Sequence, residues 1–310
     1  MYSPPWFLFN AHLETIYPSL FRKVLVKDFQ QERIQTHDND FLDLFWLKQG
    51  SSKIVIISHG LEGNAHRAYI KGMAKAFYGN EFDVLAWNYR GCGDEMNKEL
   101  RFYHSGASDD LGDVVNHVVQ QGYKEIYLIG FSLGGNLTLK YAGERSVSST
   151  IKGVATFSVP LDLYTSSLQI SKPSNWIYSR RFLKSLKKKI KTKANLMPGL
   201  DLTNLENITS LEQFDDYYTG PLHGYKNARD YYQRCSAMGF LDTITVPTLI
   251  VNALNDPFLS KECFPSEIKN SFVQFEMPSR GGHVGFSQFN ENGLYWSEQR
   301  ALEFIGALRK

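Results

Sequence analysis

Glu125-Ile126-Tyr127-Leu128-Ile129-Gly130-Phe131-Ser132-Leu133-Gly134 is the stretch on which the fold turns. A short apolar, strand-forming run enters a G-x-S-x-G turn, and residues 133–145 then take up helical periodicity. A serine hydroxyl is a weak nucleophile. It must stand clear of a sheet, beside a base and beside N–H donors that hold an oxyanion. A sharp strand-to-helix turn does this for Ser132, while Gly130 and Gly134 leave out side chains where strand and helix approach each other. The plainer reading is a glycine-rich turn around a buried serine. The strand before and the helix after favour the nucleophile elbow.

The same alternation extends outward. Lys53–Ser58 is a β-branched run ending at His59-Gly60, residues 66–78 are helical, and Phe82–Trp87 is a strand. Residues 108–121 form a helix with Ser108 as N-cap and Gly122 just past its end, and Gly153–Ser158 is a further strand. Short buried strands alternating with helices predict a mostly parallel central sheet with flanking helices, an α/β fold. Before this, residues 24–36 and 41–48 read as an antiparallel pair turning at Asp38-Asn39-Asp40, and residues 1–22 as irregular and aromatic. The alternation lapses over 161–226, which is polar, aromatic and irregular with one basic helix. It resumes at Val246–Val251 and Phe272–Met277 and closes with a helix over 295–308. The expected organisation is one domain, 1–310, with an inserted lid at about 161–226 over the carboxyl edge of the sheet, where open α/β sheets bind ligands.

With an elbow of this kind the chain order is Ser, then acid, then His. Of eight histidines only His223 and His283 follow Ser132. His283 lies in a glycine-rich loop after the last strand and is the candidate base, whereas His223 falls within the insertion. Asp256, in Asn255-Asp256-Pro257 after a late strand, is the candidate acid that orients the imidazole. Asp162 is the alternative, and Asp242 reads as a turn residue. The oxyanion donors are assigned to the backbone N–H groups of Leu61 and Leu133, with Gly60 as runner-up for the first. His59 precedes the serine and reads as a packed histidine that holds its loop.

Five segments carry a family resemblance: Asn10-Ala11-His12-Leu13-Glu14-Thr15-Ile16-Tyr17-Pro18, His59-Gly60-Leu61-Glu62-Gly63, Asn88-Tyr89-Arg90-Gly91-Cys92-Gly93, Gly130 to Asn136, and Phe214-Asp215-Asp216-Tyr217 onward to Leu222-His223-Gly224-Tyr225. The chain resembles the YheT-like, or EMB8-like, branch of the α/β hydrolases over nearly its whole length. The first and fifth segments are specific to that branch. The resemblance implies esterase or lipase-like activity on acyl esters, with acyl transfer to an alcohol in some relatives. Two acids often precede the proline of the late turn in such proteins. Here Asn255 fills the first place, which points to Asp256. An H-x4-D acyltransferase motif is absent, since Asn64 stands five positions after His59.

The remaining composition narrows the partners. A net charge of +2 gives no argument for nucleic acid. Three scattered cysteines, Cys92, Cys235 and Cys263, form neither a disulfide framework nor a zinc cluster, and no Walker or dinucleotide glycine loop follows a strand. The expectation is therefore a catalyst without cofactor or metal that acts on a small acyl ester of lipid-like character. The apolar start is too short and too proline-rich for a signal peptide, so a soluble cytoplasmic protein is expected. Arg180–Ile190 is basic and amphipathic, with Phe182, Leu183, Leu186 and Ile190 on one face. It reads as a solvated lid helix whose apolar stripe covers the pocket, or as a peripheral contact to anionic lipid. A non-catalytic binding protein of the same fold is the remaining alternative, which the three filled triad positions oppose.

Overall fold

The β-branched run Ile54-Val55-Ile56-Ile57 is wholly buried, which places its strand at the centre of the molecule. In the computed structural model, which describes residues 2–144, 147–290 and 292–309, that strand lies in an eight-stranded sheet. The strands are β1 (Gln30–Gln35), β2 (Phe41–Leu47), β3 (Lys53–Ser58), β4 (Asp83–Asn88), β5 (Glu125–Phe131), β6 (Ile151–Phe157), β7 (Thr248–Val251) and β8 (Val273–Glu276). Their order is β1-β2-β4-β3-β5-β6-β7-β8. β2 pairs antiparallel with β1 and with β4, and the pairings β4-β3-β5-β6-β7-β8 are parallel. The predicted turn closes the first pair: Thr36 N–H donates to Asp40 O at 3.0 Å, with Asn39 at φ 66°.

Parallel strands must be covered on both faces. On one side α3 (Ser108–Gln120) and α4 (Leu133–Glu144) bury Val114, Val118, Leu137 and Leu139 against the sheet. On the other, α2 (Ala68–Tyr78) and the closing helix Trp296–Ala307 bury Met73, Phe77, Ala301 and Ile305. Each large apolar side chain so buried contributes about 1.5–3 kcal/mol relative to exposure, so the two layers fix the sheet from both sides. Ser108 is not the cap of α3 as expected. Ala107 occupies that position, and Ser108 Oγ turns inward to donate to Glu144 Oε2 at 2.5 Å.

Two regions read as irregular are ordered. Residues Ala11–Phe21 form α1, capped by Asn10, whose Oδ1 accepts Leu13 N–H at 2.9 Å. Pro18 sits inside the helix and masked its periodicity. The insertion contains α5 (Leu163–Ile170) and α6 (Trp176–Leu196), then a short turn Leu211–Phe214 and a π-turn Asp215–Thr219, followed by the helix Ala228–Cys235. The basic run is the middle of α6, longer than the sequence suggested. Its stripe of Leu183, Leu186 and Ile190 is buried against the same core as α3 and α4. Two of its lysines also turn inward: Lys193 reaches Asn97 Oδ1 at 3.0 Å, and Lys189 reaches Glu62 at 2.6 Å. Among the described residues no helix is long and apolar enough to cross a membrane.

Candidate active site

The elbow has the strained backbone that the motif demands. Ser132 sits at φ 54°, in the left-handed region that a residue with a Cβ rarely adopts. It is held there by Ser132 N–H to Phe157 O at 2.9 Å and Asn136 N–H to Ser132 O at 3.0 Å. A Cβ on Gly130 would lie 2.5 Å from Gly134 O, and one on Gly134 would lie 2.4 Å from His59 O. Both glycines are therefore required where strand, helix and neighbouring loop converge.

Three loops at the carboxyl edge bring the predicted triad together. His283 Nε2 lies 2.9 Å from Ser132 Oγ. His283 Nδ1 lies 2.8 Å from Asp256 Oδ2 and 3.0 Å from Oδ1. The Asp256 side chain is fully buried and that of His283 nearly so. Asp256 Oδ1 also accepts Phe258 N–H at 2.9 Å, and the Phe258 ring packs on the imidazole with centroids 4.2 Å apart. A carboxylate on Nδ1 fixes the proton there and leaves Nε2 to accept from the serine hydroxyl.

The His283 loop is braced by residues to which sequence reasoning gave no role. Buried Glu14, on α1, accepts Gly281 N–H at 2.8 Å and Asn255 Nδ2 at 2.9 Å through Oε2, and its Oε1 pairs with Arg280 at 2.5 Å. Thr15 Oγ1 accepts His283 N–H at 2.9 Å, Asn255 Oδ1 accepts Gly282 N–H at 3.1 Å, and Ser158 Oγ accepts Val284 N–H at 2.8 Å. Ser158 and Val284 both have φ 55°. The available signal was Glu14 itself, a lone acid in an apolar, aromatic stretch.

The loop after β3 presents the proposed donors. Gly60 N–H is engaged by Tyr69 Oη at 2.9 Å and Glu62 N–H by Tyr103 Oη at 2.9 Å, and Leu61 between them lines the same cavity as Ser132. Leu133 N–H opens α4, where the helix dipole favours negative charge. Glu62 has φ 52° and accepts hydrogen bonds from Tyr103 Oη at 2.7 Å, Lys189 Nζ at 2.6 Å and Ser185 Oγ. Burial alone would raise its carboxyl, but the Lys189 ammonium and these hydrogen bonds outweigh that and hold it below its ordinary range.

The discarded candidates have other partners. Asp162 caps α5, accepting Thr165 N–H at 2.8 Å. Asp242 lies in a 3-10 turn, Ala237–Thr243. His59 is wholly buried with Nδ1 2.8 Å from Gly60 O, and burial drives it down to about 3. His223 bridges Thr219 O at 2.7 Å and Phe102 O at 2.6 Å, and burial lowers it too. His12 Nδ1 meets Tyr178 Oη at 3.1 Å. Among the described residues no group of three or more His, Cys, Asp or Glu is placed to hold a metal ion.

Two cavities meet at Ser132. The larger, about 370 Å³, is lined by His283, Phe258, Tyr178, Phe182, Leu20 and Ile177 among others. The smaller, about 90 Å³, contains Leu61 and Leu133 and runs between Leu163, Ile170 and Leu186 of the insertion.

This sheet order, elbow and loop arrangement define an α/β hydrolase. The chain belongs to that family, whose model, described as alpha/beta hydrolase fold, matches residues 53–289, and within it to the branch that holds YheT and EMB8. It is 32% identical over 287 residues to the protein named Putative esterase YheT of Escherichia coli (strain K12), covering 89% of this chain and 84% of that one. It is 26% identical over 327 residues to Embryogenesis-associated protein EMB8 of Picea glauca, covering 98% and 72%. Among solved structures the esterase Pf2001 of Pyrococcus furiosus superposes with a TM-score of 0.60 at 18% identity, covering 92% of this chain and 98% of that one.

Proposed function

We propose that the chain is a cofactor-free carboxylic-ester hydrolase, with Ser132 as nucleophile, His283 as general base, Asp256 as its orienting acid, and the Leu61 and Leu133 amides as oxyanion donors. The observation that carries this is the continuous line from Ser132 Oγ through His283 to Asp256, at 2.9 and 2.8 Å. Ser132 Oγ bonds to the acyl carbon as its proton passes to His283 Nε2. The carbonyl electrons move onto an oxyanion between the two amides, each worth about 2.7–4 kcal/mol to the transition state. The C–O bond to the alcohol then breaks, and the departing oxygen takes the proton from Nε2. Water, deprotonated by the same nitrogen, attacks the acyl-enzyme and releases the acid and free Ser132.

The departing oxygen must reach His283 Nε2, so the alcohol half occupies the larger cavity, which His283 lines. The acyl group then extends into the smaller one, past Leu163 and Ile170. The esterase name of the relative in Escherichia coli supports the same chemistry. We read the chain as one domain, with residues 161–226 forming a lid, and three free thiols support a reducing, cytoplasmic setting.

A serine-directed fluorophosphonate labels the wild type and spares Ser132→Ala, and a panel of p-nitrophenyl esters is hydrolysed with preference for short acyl chains. Folded wild type that resists the probe defeats the proposal. Ester formation on adding an alcohol at modest concentration turns it toward acyl transfer, and ligand response unchanged in Ser132→Ala toward a binding role.

A further inference from the structure

Charge is unevenly spread in this nearly balanced chain. Residues 163–200 contain nine Lys or Arg and no Asp or Glu. Lys189 and Lys193 are buried and bonded to the body, and Lys191 and Lys187 pair with Glu206, Lys187 at 4.0 Å. Lys172, Arg180, Arg181, Lys184 and Lys188 remain exposed, and among the described residues none has a carboxylate partner. The last four share the outer face of α6, at positions 180, 181, 184 and 188, while its opposite face is the buried stripe.

That face begins with apolar side chains that the fold leaves uncovered: Trp176 is 57% and Ile177 55% exposed. It continues onto α1. His12 stacks on Tyr178 with ring centroids 5.8 Å apart, so α1 runs beside the start of α6. Leu20, 66% exposed, shares the rim of the larger cavity with Ile177. Phe7 packs on Tyr17 and Tyr17 on Phe21, which carries the apolar surface back to the exposed Trp6 and Phe9. Between positions 1 and 27 the one acid is Glu14, which is buried.

An apolar rim around the mouth of an apolar cavity, beside a row of unpaired cations, is complementary to one kind of surface. Aromatic and aliphatic side chains partition into the acyl boundary of a bilayer while the cations meet anionic headgroups. We propose that the outer face of α6 and the adjoining face of α1 dock on an anionic lipid surface and set the mouth of the larger cavity against it. This binding surface does not depend on the hydrolytic reading, because it is tested without turnover.

The test is co-sedimentation of the full chain with vesicles of phosphatidylglycerol in phosphatidylcholine, and with phosphatidylcholine alone. The chain partitions onto the anionic vesicles and is released by salt. Each cation removed lowers the partition coefficient about fivefold, so Arg180→Gln with Lys184→Gln and Lys188→Gln lowers it about a hundredfold, and Trp176→Ser lowers it further. None of these residues lines either cavity, so hydrolysis of a water-soluble ester and the melting temperature stay at wild-type values. Absence of binding to anionic vesicles at low salt overturns the proposal. So does equal binding to both vesicle types, or equal binding by the triple variant. A self-association that the same substitutions abolish, without vesicle binding, assigns the face to a second copy and likewise overturns it.

Discussion

Glu62 ties α6 to the loop after β3. It follows the proposed donor Leu61, holds a left-handed backbone at φ 52°, and is pinned by Lys189 of α6 at 2.6 Å. The lysine is 8% exposed, and it keeps its proton in spite of burial because Cys92 and Glu62 face it. Lys189→Met leaves the Glu62 carboxylate buried and under-compensated, so the loop relaxes and the Leu61 amide loses its aim. The expected result on a soluble ester is a kcat lowered about tenfold or more with KM little changed, since a fully lost donor costs about a hundredfold to a thousandfold. Lys189→Arg restores part of the loss. Equal kcat in a folded Lys189→Met variant argues that Glu62 serves only the packing of the lid. Asp256→Asn, which favours the wrong tautomer of His283, lowers kcat by about four orders of magnitude while leaving the protein folded.

Among the elements, α1 does more for the site than its place in the sequence suggests. Its Glu14 spans 267 residues to Gly281 and 241 to Asn255, so one buried carboxylate joins the acid turn to the base loop. Glu14→Gln replaces one accepting oxygen with a donor against N–H groups. Kinetics on a soluble ester then show kcat reduced about tenfold to a hundredfold, as expected for a base displaced by a fraction of an ångström, with the oxyanion loop untouched. A wild-type kcat in Glu14→Gln removes α1 from the site.

The element scale also shows how far the sequence could be read. β3 matches its expected span, because four consecutive β-branched residues admit little else, and the elbow, the acid turn and the glycine-rich base loop were legible as local chemistry. The helix α1 was hidden by Pro18 and by aromatic residues that point outward as well as inward. The helix Ala228–Cys235 was hidden because its buried face meets partners far away in the chain, such as Ser105, whose N–H donates to Tyr231 Oη at 2.9 Å. Ser108 looked like a cap by type, and the distant Glu144 redirected it. Ser132, Asp256 and His283, which the structure brings within hydrogen-bond distance, were chosen by order along the chain, whereas the braces Thr15, Asn255 and Ser158 exist as such only once the loops converge.

At the scale of the molecule, histidines buried without charge set the response to acid. His59 is brought down to about 3 by burial, and His104 and His223 are lowered for the same reason, with their mutual proximity adding to the effect at His104. Each takes up a proton in the unfolded chain near pH 6.5 but resists it in the folded one, so the unfolded state binds more protons as pH falls. Their contribution is present above pH 6.5 and is lost as pH falls below it, for His59 down to about 3, at up to about 1.4 kcal/mol per histidine per pH unit. Asp215 acts in the opposite sense. Burial pushes it up to about 6, so the folded state takes its proton first and regains some stability as pH drops from there toward 3.8. The melting temperature therefore falls with acid below pH 6.5, and Asp215 offsets about one histidine's share of the loss between about 6 and 3.8. His223→Gln flattens the first part of that curve, and an unchanged curve excludes His223 from the acid response.

The bond from α1 to the His283 loop has a consequence for the order in which the enzyme comes into being. Its two ends are separated by most of the polypeptide, so no stretch emerging early from the ribosome contains a working centre. By the time β6 has been made, the elbow can fold and Ser132 can be held in place by Phe157 O, yet the proposed base and the acid turn are still unsynthesised. On the proposed function, the nascent chain carries Ser132 inert through translation, and activity switches on only when the His283 loop folds back onto α1.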